Sequence, residues 1–384
     1  MNFHRLLNLN PETHHSAMLL GPRGTGKTTW IMTHLENPLV INLLNSSDHG
    51  KLLANPSSLE QRIPPDYKGW VVIDEVQKIP ALLNEVHRLI ESHHYRFLLT
   101  GSSARSLRRQ GVNLLAGRAL HYRMHPLTCY ELGDYFSLKT ALQYGLLPSI
   151  YVVEEPAHYL ETYVATYLRE EVLQEGLTRN LGEFTRFLQI ASFSQGNVLN
   201  FSEIAREAAI ERRVVSSYFG ILNDLLIAFE LPAFTKKAKR RLISSSKFYF
   251  FDVGVYKTIR PKGPLDSPED MDGPGLETLF LQHLRALNDY ERLGYELYYW
   301  RTSNDLEVDF VLYGEKGLLA FEIKRKKTVS PSDFKGLRAF GADYPMAELY
   351  LLYGGDHEEY HDNIRLIPYE KALWQLKELL KTPI

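Results

Sequence analysis

A single cysteine, Cys129, stands in a chain of 384 residues. That excludes an intrachain disulfide and a cysteine-based zinc finger, and it suits a reducing compartment. An excess of charge is missing too. Forty-four lysines and arginines oppose 46 aspartates and glutamates, for a formal net charge of −2, so any contact with nucleic acid has to come from local basic patches. No apolar run approaches the length of a membrane span. The start, Met1-Asn2-Phe3-His4-Arg5, lacks the basic-then-apolar pattern of a secretory signal. A cytoplasmic protein with no membrane partner is expected. No internal repeat is visible. What is present, 44% apolar and 23% charged residues, is ordinary for globular protein, and the length allows two or three domains.

The most informative stretch is Gly21-Pro22-Arg23-Gly24-Thr25-Gly26-Lys27-Thr28, preceded by the apolar run Ala17–Leu20 and followed by the helix-compatible Thr29-Trp30-Ile31-Met32. A triphosphate needs backbone N–H groups that can close around it, which a glycine-rich turn permits, and a helix N-terminus aimed at its charge. The expected ligand is ATP with Mg²⁺, contacted by the loop from Gly21 to Thr28 and by Thr29. Lys27 would reach the β- and γ-phosphates, and the Thr28 hydroxyl would bind the Mg²⁺.

Downstream, Trp70-Val71-Val72-Ile73-Asp74-Glu75 is an apolar strand that ends in two acids. Alone it reads as a strand entering a polar loop. After a phosphate loop it reads as the element that places Asp74 in the Mg²⁺ shell and lets Glu75 polarise the attacking water.

The first third alternates short apolar strands (17–20, 39–43, 70–73, 97–100, 119–124) with helical stretches, one of them carrying Leu82, Leu83, Val86, Leu89 and Ile90 at helical spacing. That order predicts a parallel sheet covered by helices. After about Glu131 the pattern turns helical, with an apolar stripe through Leu160, Tyr163, Val164, Tyr167, Leu168, Val172 and Leu173 that reads mostly as core. Residues 203–208 and 212–222, joined by three residues, have helix-turn-helix spacing. Two β-rich runs, 227–234 and 248–251, read as a wing behind them. Four prolines among the fourteen residues 261–274 predict a boundary without regular structure. The remainder is expected to run helix (276–288), three strands (296–301, 308–313, 318–323), helix, strand and a last amphipathic helix.

In that remainder, Phe321-Glu322-Ile323-Lys324 puts Glu322 and Lys324 on one face of a strand and Ile323 on the other. Asp309 starts the strand before, and Glu277 lies on the opening helix. Two carboxylates and a lysine can therefore converge. Oxygen ligands of this kind hold Mg²⁺ or Mn²⁺, between Asp309 and Glu322 with Glu277 close by, and a lysine beside them can orient or deprotonate water.

The helix-strand-strand-strand order with Glu277, Asp309 and Glu322-x-Lys324 resembles the core of the PD-(D/E)XK nucleases. Asp309 follows a valine, so the Pro-Asp dipeptide that names the group is missing at this position. As a whole the chain resembles the AAA-type ATPases of bacteria and archaea that carry a C-terminal domain of unknown function with a nuclease-like end. The resembling segments are 21–28, Val72-Ile73-Asp74-Glu75-Val76-Gln77-Lys78-Ile79-Pro80, Leu99–Ser103, Leu114–Arg118 and Phe250-Phe251-Asp252-Val253-Gly254.

The resemblance implies an α/β chain in three parts. These are an AAA-type P-loop NTPase domain over 1–135, a helical and winged-helix domain over 136–260, and a restriction-endonuclease-like α/β domain over 274–384. It puts Thr100 and Ser102 where a sensor meets the γ-phosphate or the water. Arg118 falls where an arginine reaches the nucleotide in cis or from a neighbouring copy, the second implying a homo-oligomer. Two functions follow: an ATPase whose nuclease-like end acts on DNA, or an ATPase switch whose nuclease-like end only binds nucleic acid or protein.

Residues 235–241 hold five basic residues in seven, Lys236 to Arg241. DNA contact and a solvated or packed hairpin are both open readings of them. His357-Glu358-Glu359-Tyr360-His361 matches a zinc-protease spacing by chance, because Gly354-Gly355 and a following β-rich run leave no room for the helix that spacing needs.

Overall fold

The structure is a computed structural model that describes residues 3–9, 15–103, 115, 117–168, 172, 180–237, 240–264, 266 and 268–381. Leu114, Ala116, Leu173, Ala238 and Lys239, invoked above, lie outside the described residues. The chain divides into two compact units, one of Arg5–His125 with Asp224–Ile227 and one of the remainder.

The first unit is built on five strands: β1 (Ser16–Leu20), β2 (Leu39–Asn42), β3 (Trp70–Asp74), β4 (Arg96–Gly101) and β5 (Ala119–Arg123). They form one sheet in the order β2-β3-β4-β1-β5, and every pairing is parallel. The inner strands are continuously apolar because both faces are covered: Met18, Leu19, Val71, Val72, Ile73, Phe97, Leu98 and Leu99 have no exposure. The helix Leu82–His93 buries Leu82, Leu83, Val86 and Leu89, the face its sequence spacing predicts. Since β4 lies between β1 and β3, the loops after all three open at the same edge of the sheet.

The second unit begins with helices, among them Leu138–Tyr144, Pro156–Thr162, Leu181–Ser192, Phe201–Ala208 and Arg212–Asp224. Asn200 caps Phe201–Ala208 by accepting from the Glu203 N–H. Aromatics from these helices and the following strand build the core: Phe187 and Phe219 meet edge to face at 5.0 Å, as do Phe219 and Phe248. Leu160, Tyr163 and Val172 of the apolar stripe are buried. β6 (Ala228–Leu231) and β7 (Lys247–Phe250) pair antiparallel.

Six more strands follow: β8 (Glu296–Arg301), β9 (Glu307–Gly314), β10 (Gly317–Lys324), β11 (Glu348–Tyr353), β12 (Glu359–His361) and β13 (Ile364–Pro368). They form a mixed sheet in the order β12-β13-β11-β10-β9-β8. β10 runs antiparallel to β9 and parallel to β11. In the zinc-protease look-alike the last three residues form β12, and no helix joins His357 to His361.

The boundary expected over 261–274 is shorter than its prolines suggest. The helix that carries Glu277 spans Pro268–Tyr290 and has Pro274 inside it. Pro268 sits at the helix start, where no N–H is needed. The ion pairs Lys257–Asp272 and Arg260–Asp266 fix the segment against the preceding helix Val253–Ile259 and its end.

The segment between β6 and β7 is no free-standing wing tip. It runs along β8, with bridges Ala233–Tyr299 and Leu242–Thr302 and bonds from Phe234 N to Tyr299 O (2.7 Å) and Ile243 N to Arg301 O (3.0 Å). Of its basic residues, Lys236 pairs with Glu296 at 2.6 Å and lies over the Tyr313 ring, and Arg240 pairs with Asp343 at 2.8 Å. The packing reading of this run is the one these contacts favour. Replacing Lys236 and Arg240 together with alanine should lower the midpoint of urea unfolding slightly, since the Lys236–Glu296 pair is exposed and only Asp343 of the other pair is buried. A loss of DNA affinity with unchanged stability would reverse that reading.

Candidate nucleotide site and a C-terminal carboxylate cluster

At the end of β1 the chain turns at Gly21 so close to Met124 that a Cβ would lie 2.4 Å from the Met124 carbonyl oxygen. Gly26 closes the turn at φ 90°, a left-handed conformation that glycine adopts without strain. It caps the helix Lys27–His34 and brings no side-chain acceptor with it, so the first N–H groups of the helix face the loop. The Lys27 ammonium rests on the carbonyls of Gly21 (2.7 Å) and Pro22 (3.2 Å). Sequence reading missed the brace beneath this loop: Arg5, buried, donates to the carbonyls of Thr25 (2.6 Å) and His125 (2.7 Å). Nothing in the composition around Arg5 signals it.

The acids at the end of β3 meet this loop. Thr28 Oγ1 donates to Asp74 Oδ2 at 3.3 Å, and Thr100 on β4 donates to Asp74 Oδ1. Glu75 takes φ 62°, a costly left-handed conformation for a residue with a side chain. Its N–H donates to Thr100 Oγ1 at 3.2 Å. Its carboxylate accepts from Gln77 Nε2 and from Ser102 Oγ (3.4 Å), and Gln77 also donates to Ser102 Oγ at 3.1 Å. Thr28, Asp74, Glu75, Thr100 and Ser102 are thus brought together, and Gln77 joins them as a residue the sequence reading had not assigned. Its place two residues after Glu75 was the available signal.

Arg118 is not brought to this edge. It precedes β5, its carbonyl accepts from Ser16 N at the start of β1 (3.1 Å), and its guanidinium pairs with Glu91. The loop follows the other end of β1, about 15 Å away along a five-residue strand. A role in cis does not fit this geometry.

The C-terminal residues also converge. The β9–β10 ladder ends at Phe310–Phe321, and just beyond it Asp309 Oδ2 accepts from Ile323 N at 2.8 Å. Lys324 donates to Glu322 Oε1 at 2.5 Å, while Glu322 Oε2 is buried with no hydrogen-bond partner. Glu277 Oε2 accepts from the Tyr249 hydroxyl at 2.7 Å.

Two further charged residues complete the group. Lys247, 1% exposed, directs its ammonium at Asp309 (3.5 Å), Glu277 (3.9 Å) and Glu307, and Glu307 also pairs with Arg301 at 3.3 Å. Burial, then the charge of Asp309, pushes the Glu277 carboxyl up to about 7. The same two causes hold Glu322 well above the usual carboxylate range. Burial alone would lower Lys247, but Tyr249, Glu277, Asp309 and Glu307 outweigh it and hold the ammonium charged.

Oxygen ligands for a divalent ion have to converge in one open shell. Among the described residues no group of three or more acidic, histidine or cysteine side chains is arranged to hold a metal ion. With Lys247 in its midst, this cluster does not fit one. Thr28 with Asp74, a hydroxyl and a carboxylate, does suit a hard cation.

Glu277 gives a pH signature. Its folded value of about 7, against an ordinary 4.5, means the folded chain keeps a proton that the unfolded chain has released. The stability from this group is complete below about pH 4.5 and is lost as pH rises through 7, on the order of 3 kcal/mol. Glu277→Gln should flatten the fall in urea stability between pH 5 and 8; an unaltered slope would show that Glu277 is not the group titrating.

Cys129 contributes no thiolate chemistry: burial pushes its thiol up to about 12.

The sheet order, the loop and the acids of β3 are those of a P-loop NTPase domain. Residues 13–133 match the AAA domain family, 135–266 a domain of unknown function (DUF8612) and 272–372 another (DUF4143). An uncharacterised protein of Mycobacterium tuberculosis is 27% identical over 367 residues, covering 93% of this chain and 80% of its own. One from Methanocaldococcus jannaschii is 25% identical over 268 residues, covering 63% of this chain and 58% of its own. Among solved structures, the Aeropyrum pernix ORC1 protein in complex with DNA overlaps 64% of this chain and 86% of its own, with 13% identity and a TM-score of 0.29. The Bacillus subtilis DNA clamp loader delta protein overlaps 54% and 84%, with 14% identity and a TM-score of 0.23. Overlaps this partial leave the assignment to the family match and the site geometry. Among the described residues, no helix is long and apolar enough to cross a membrane.

Proposed function

We propose that the chain hydrolyses ATP with Mg²⁺ and that its C-terminal sheet, related to the PD-(D/E)XK nucleases, is worked by that turnover without cutting nucleic acid. The observation that carries the first part is the convergence of Thr28, Asp74, Glu75, Thr100 and Ser102 at one sheet edge beside the loop from Gly21 to Thr28. Thr28 and Asp74 would hold the Mg²⁺, whose charge draws the phosphates into place. Lys27 would exchange its carbonyl partners for phosphate oxygens, and Glu75 would accept the proton of the attacking water. Thr100 and Ser102 orient these acids. Arg118 has a role only if a neighbouring copy presents it, which makes a homo-oligomer part of the proposal.

The nuclease-like relationship is supported by the pairing of β9, β10 and β11 and by the meeting of Glu277, Asp309, Glu322 and Lys324. The domain limits are proposed at 135 and near 268, where the helix carrying Glu277 begins. The regulatory reading is preferred over cleavage because a buried ammonium lies among the carboxylates. Phosphate release from ATP, with and without EDTA, tests the first part. Plasmid nicking in Mg²⁺ or Mn²⁺ tests the second: metal-dependent nicking by the wild-type chain would restore the nuclease reading, with DNA as the partner.

A further inference from the structure

Lysine is almost never fully buried unless it is paired, and Lys247 is 1% exposed. It opens β7, and its ammonium meets carboxylates from two other elements: Glu277 on the helix Pro268–Tyr290, and Glu307 and Asp309 on β9. The face of Tyr299 on β8 lies 5.5 Å away, and the Tyr249 hydroxyl, on the strand of Lys247 itself, is tied to Glu277. The titratable groups around Lys247 are therefore four carboxyls, Glu307 and Asp309 beside Glu277 and Glu322, the last two holding a proton more tightly than usual, with Lys324 and Arg301 as the other cations. Arg301 and Lys324 are each committed at the margin, to Glu307 and to Glu322.

A buried cluster of carboxyls is neutralised by protons and by cations, and taking a cation out of it leaves an uncompensated charge. A divalent ion would need the same oxygens that the Lys247 ammonium now faces, and two cations a few ångströms apart repel strongly where the dielectric is low. Occupation by the one excludes the other. Glu322 Oε2, buried without a partner, is an acceptor that the lysine arrangement leaves unused.

We propose that Lys247 is the resident cation of the C-terminal carboxylate cluster, standing where a divalent ion would bind, and that its side chain keeps an otherwise competent Mn²⁺ or Mg²⁺ site metal-free. The cluster is a metal site closed from within by a lysine from the strand pair that precedes it. Its occupancy is set by one side chain.

The test is Mn²⁺ binding to the full chain without nucleotide, read from the EPR signal of free Mn²⁺, with all variants also carrying Asp74→Asn to silence the nucleotide-site carboxylate. Lys247→Met keeps the apolar stem and removes the charge. It should gain one Mn²⁺ per chain, at least tenfold tighter than anything seen with Lys247 present. Lys247→Arg should stay metal-free, and adding Asp309→Asn to Lys247→Met should abolish the gain. Equal Mn²⁺ binding with and without Lys247→Met would overturn the proposal. So would a folded Lys247→Met that takes up no metal. If Lys247→Met does not fold alone, Mn²⁺ should restore its thermal transition, and failure to do so while Lys247→Met with Asp309→Asn folds would equally sink it. No arm reads ATP turnover or cleavage, so an error in the proposed function would leave these outcomes unchanged.

Discussion

Glu75→Gln is expected to leave ATP binding intact while lowering kcat by roughly two to four orders of magnitude, the loss that follows removal of a positioned general base. The amide keeps the size of the side chain and can still accept from Ser102, but it cannot take a proton from water. Bound ATP should accumulate on this variant and remain unhydrolysed on a filter or gel-filtration assay. Lys27→Ala should fail one step earlier, with nucleotide no longer retained. The two phenotypes separate because Lys27 sits within the loop, on the Gly21 and Pro22 carbonyls, whereas Glu75 is held across the sheet edge by Gln77 and Ser102. Wild-type turnover in Glu75→Gln would remove Glu75 from the role of base and pass it to another group.

Asp252→Ala should be the most destabilising single change in the second unit. The side chain has no exposure, and its carboxylate accepts four bonds. Oδ1 takes Gly254 N (2.9 Å) and Val255 N (3.1 Å), capping the helix Val253–Ile259. Oδ2 takes Leu146 N (2.8 Å) and Gln282 Nε2 (2.9 Å), tying in the helix Pro268–Tyr290. Alanine would orphan buried donors on three segments at a cost of about 4 kcal/mol. Asp252→Asn would be little better, because the new NH₂ would face an N–H or amide donor. Urea unfolding followed by tryptophan fluorescence checks this; a loss below about 1 kcal/mol would mean water replaces the carboxylate. Gly254 belongs to the same knot: a Cβ there would lie 2.0 Å from the Tyr144 carbonyl oxygen. The Phe250–Gly254 segment, read in the sequence only as a mark of resemblance, is thus a packing device.

The first unit was legible because its signals are local. Strands such as Val71–Ile73 and Phe97–Leu99 are apolar without interruption, and their ends fall within two residues of those expected. The phosphate loop and the acids of β3 are contiguous motifs. Glu277, Asp309, Glu322 and Lys324 were found because strand alternation fixes which side chains share a face.

What escaped depends on distant partners. Lys247 closes a basic, serine-rich connector, and only carboxyls 30 to 62 residues further on make it a buried cation. Arg5 is fixed by carbonyls at 25 and 125. Pro274 argued for a linker, yet the helix continues through it, because ion pairs and burial further along outweigh one lost backbone bond.

β8 ends the six-stranded sheet, and an end strand offers its free N–H and C=O groups to any other extended chain. Here Pro232, Phe234 and Ile243 take up several of them through Tyr299 and Arg301, so the connector from β6 to β7 shields the sheet from strand addition. A fragment beginning at the helix Pro268–Tyr290 would keep its sheet and lose this cover. It would present Tyr298, Tyr299 and Trp300 on a bare edge, and edge-to-edge aggregation is the hazard that separating the last domain from its connector creates.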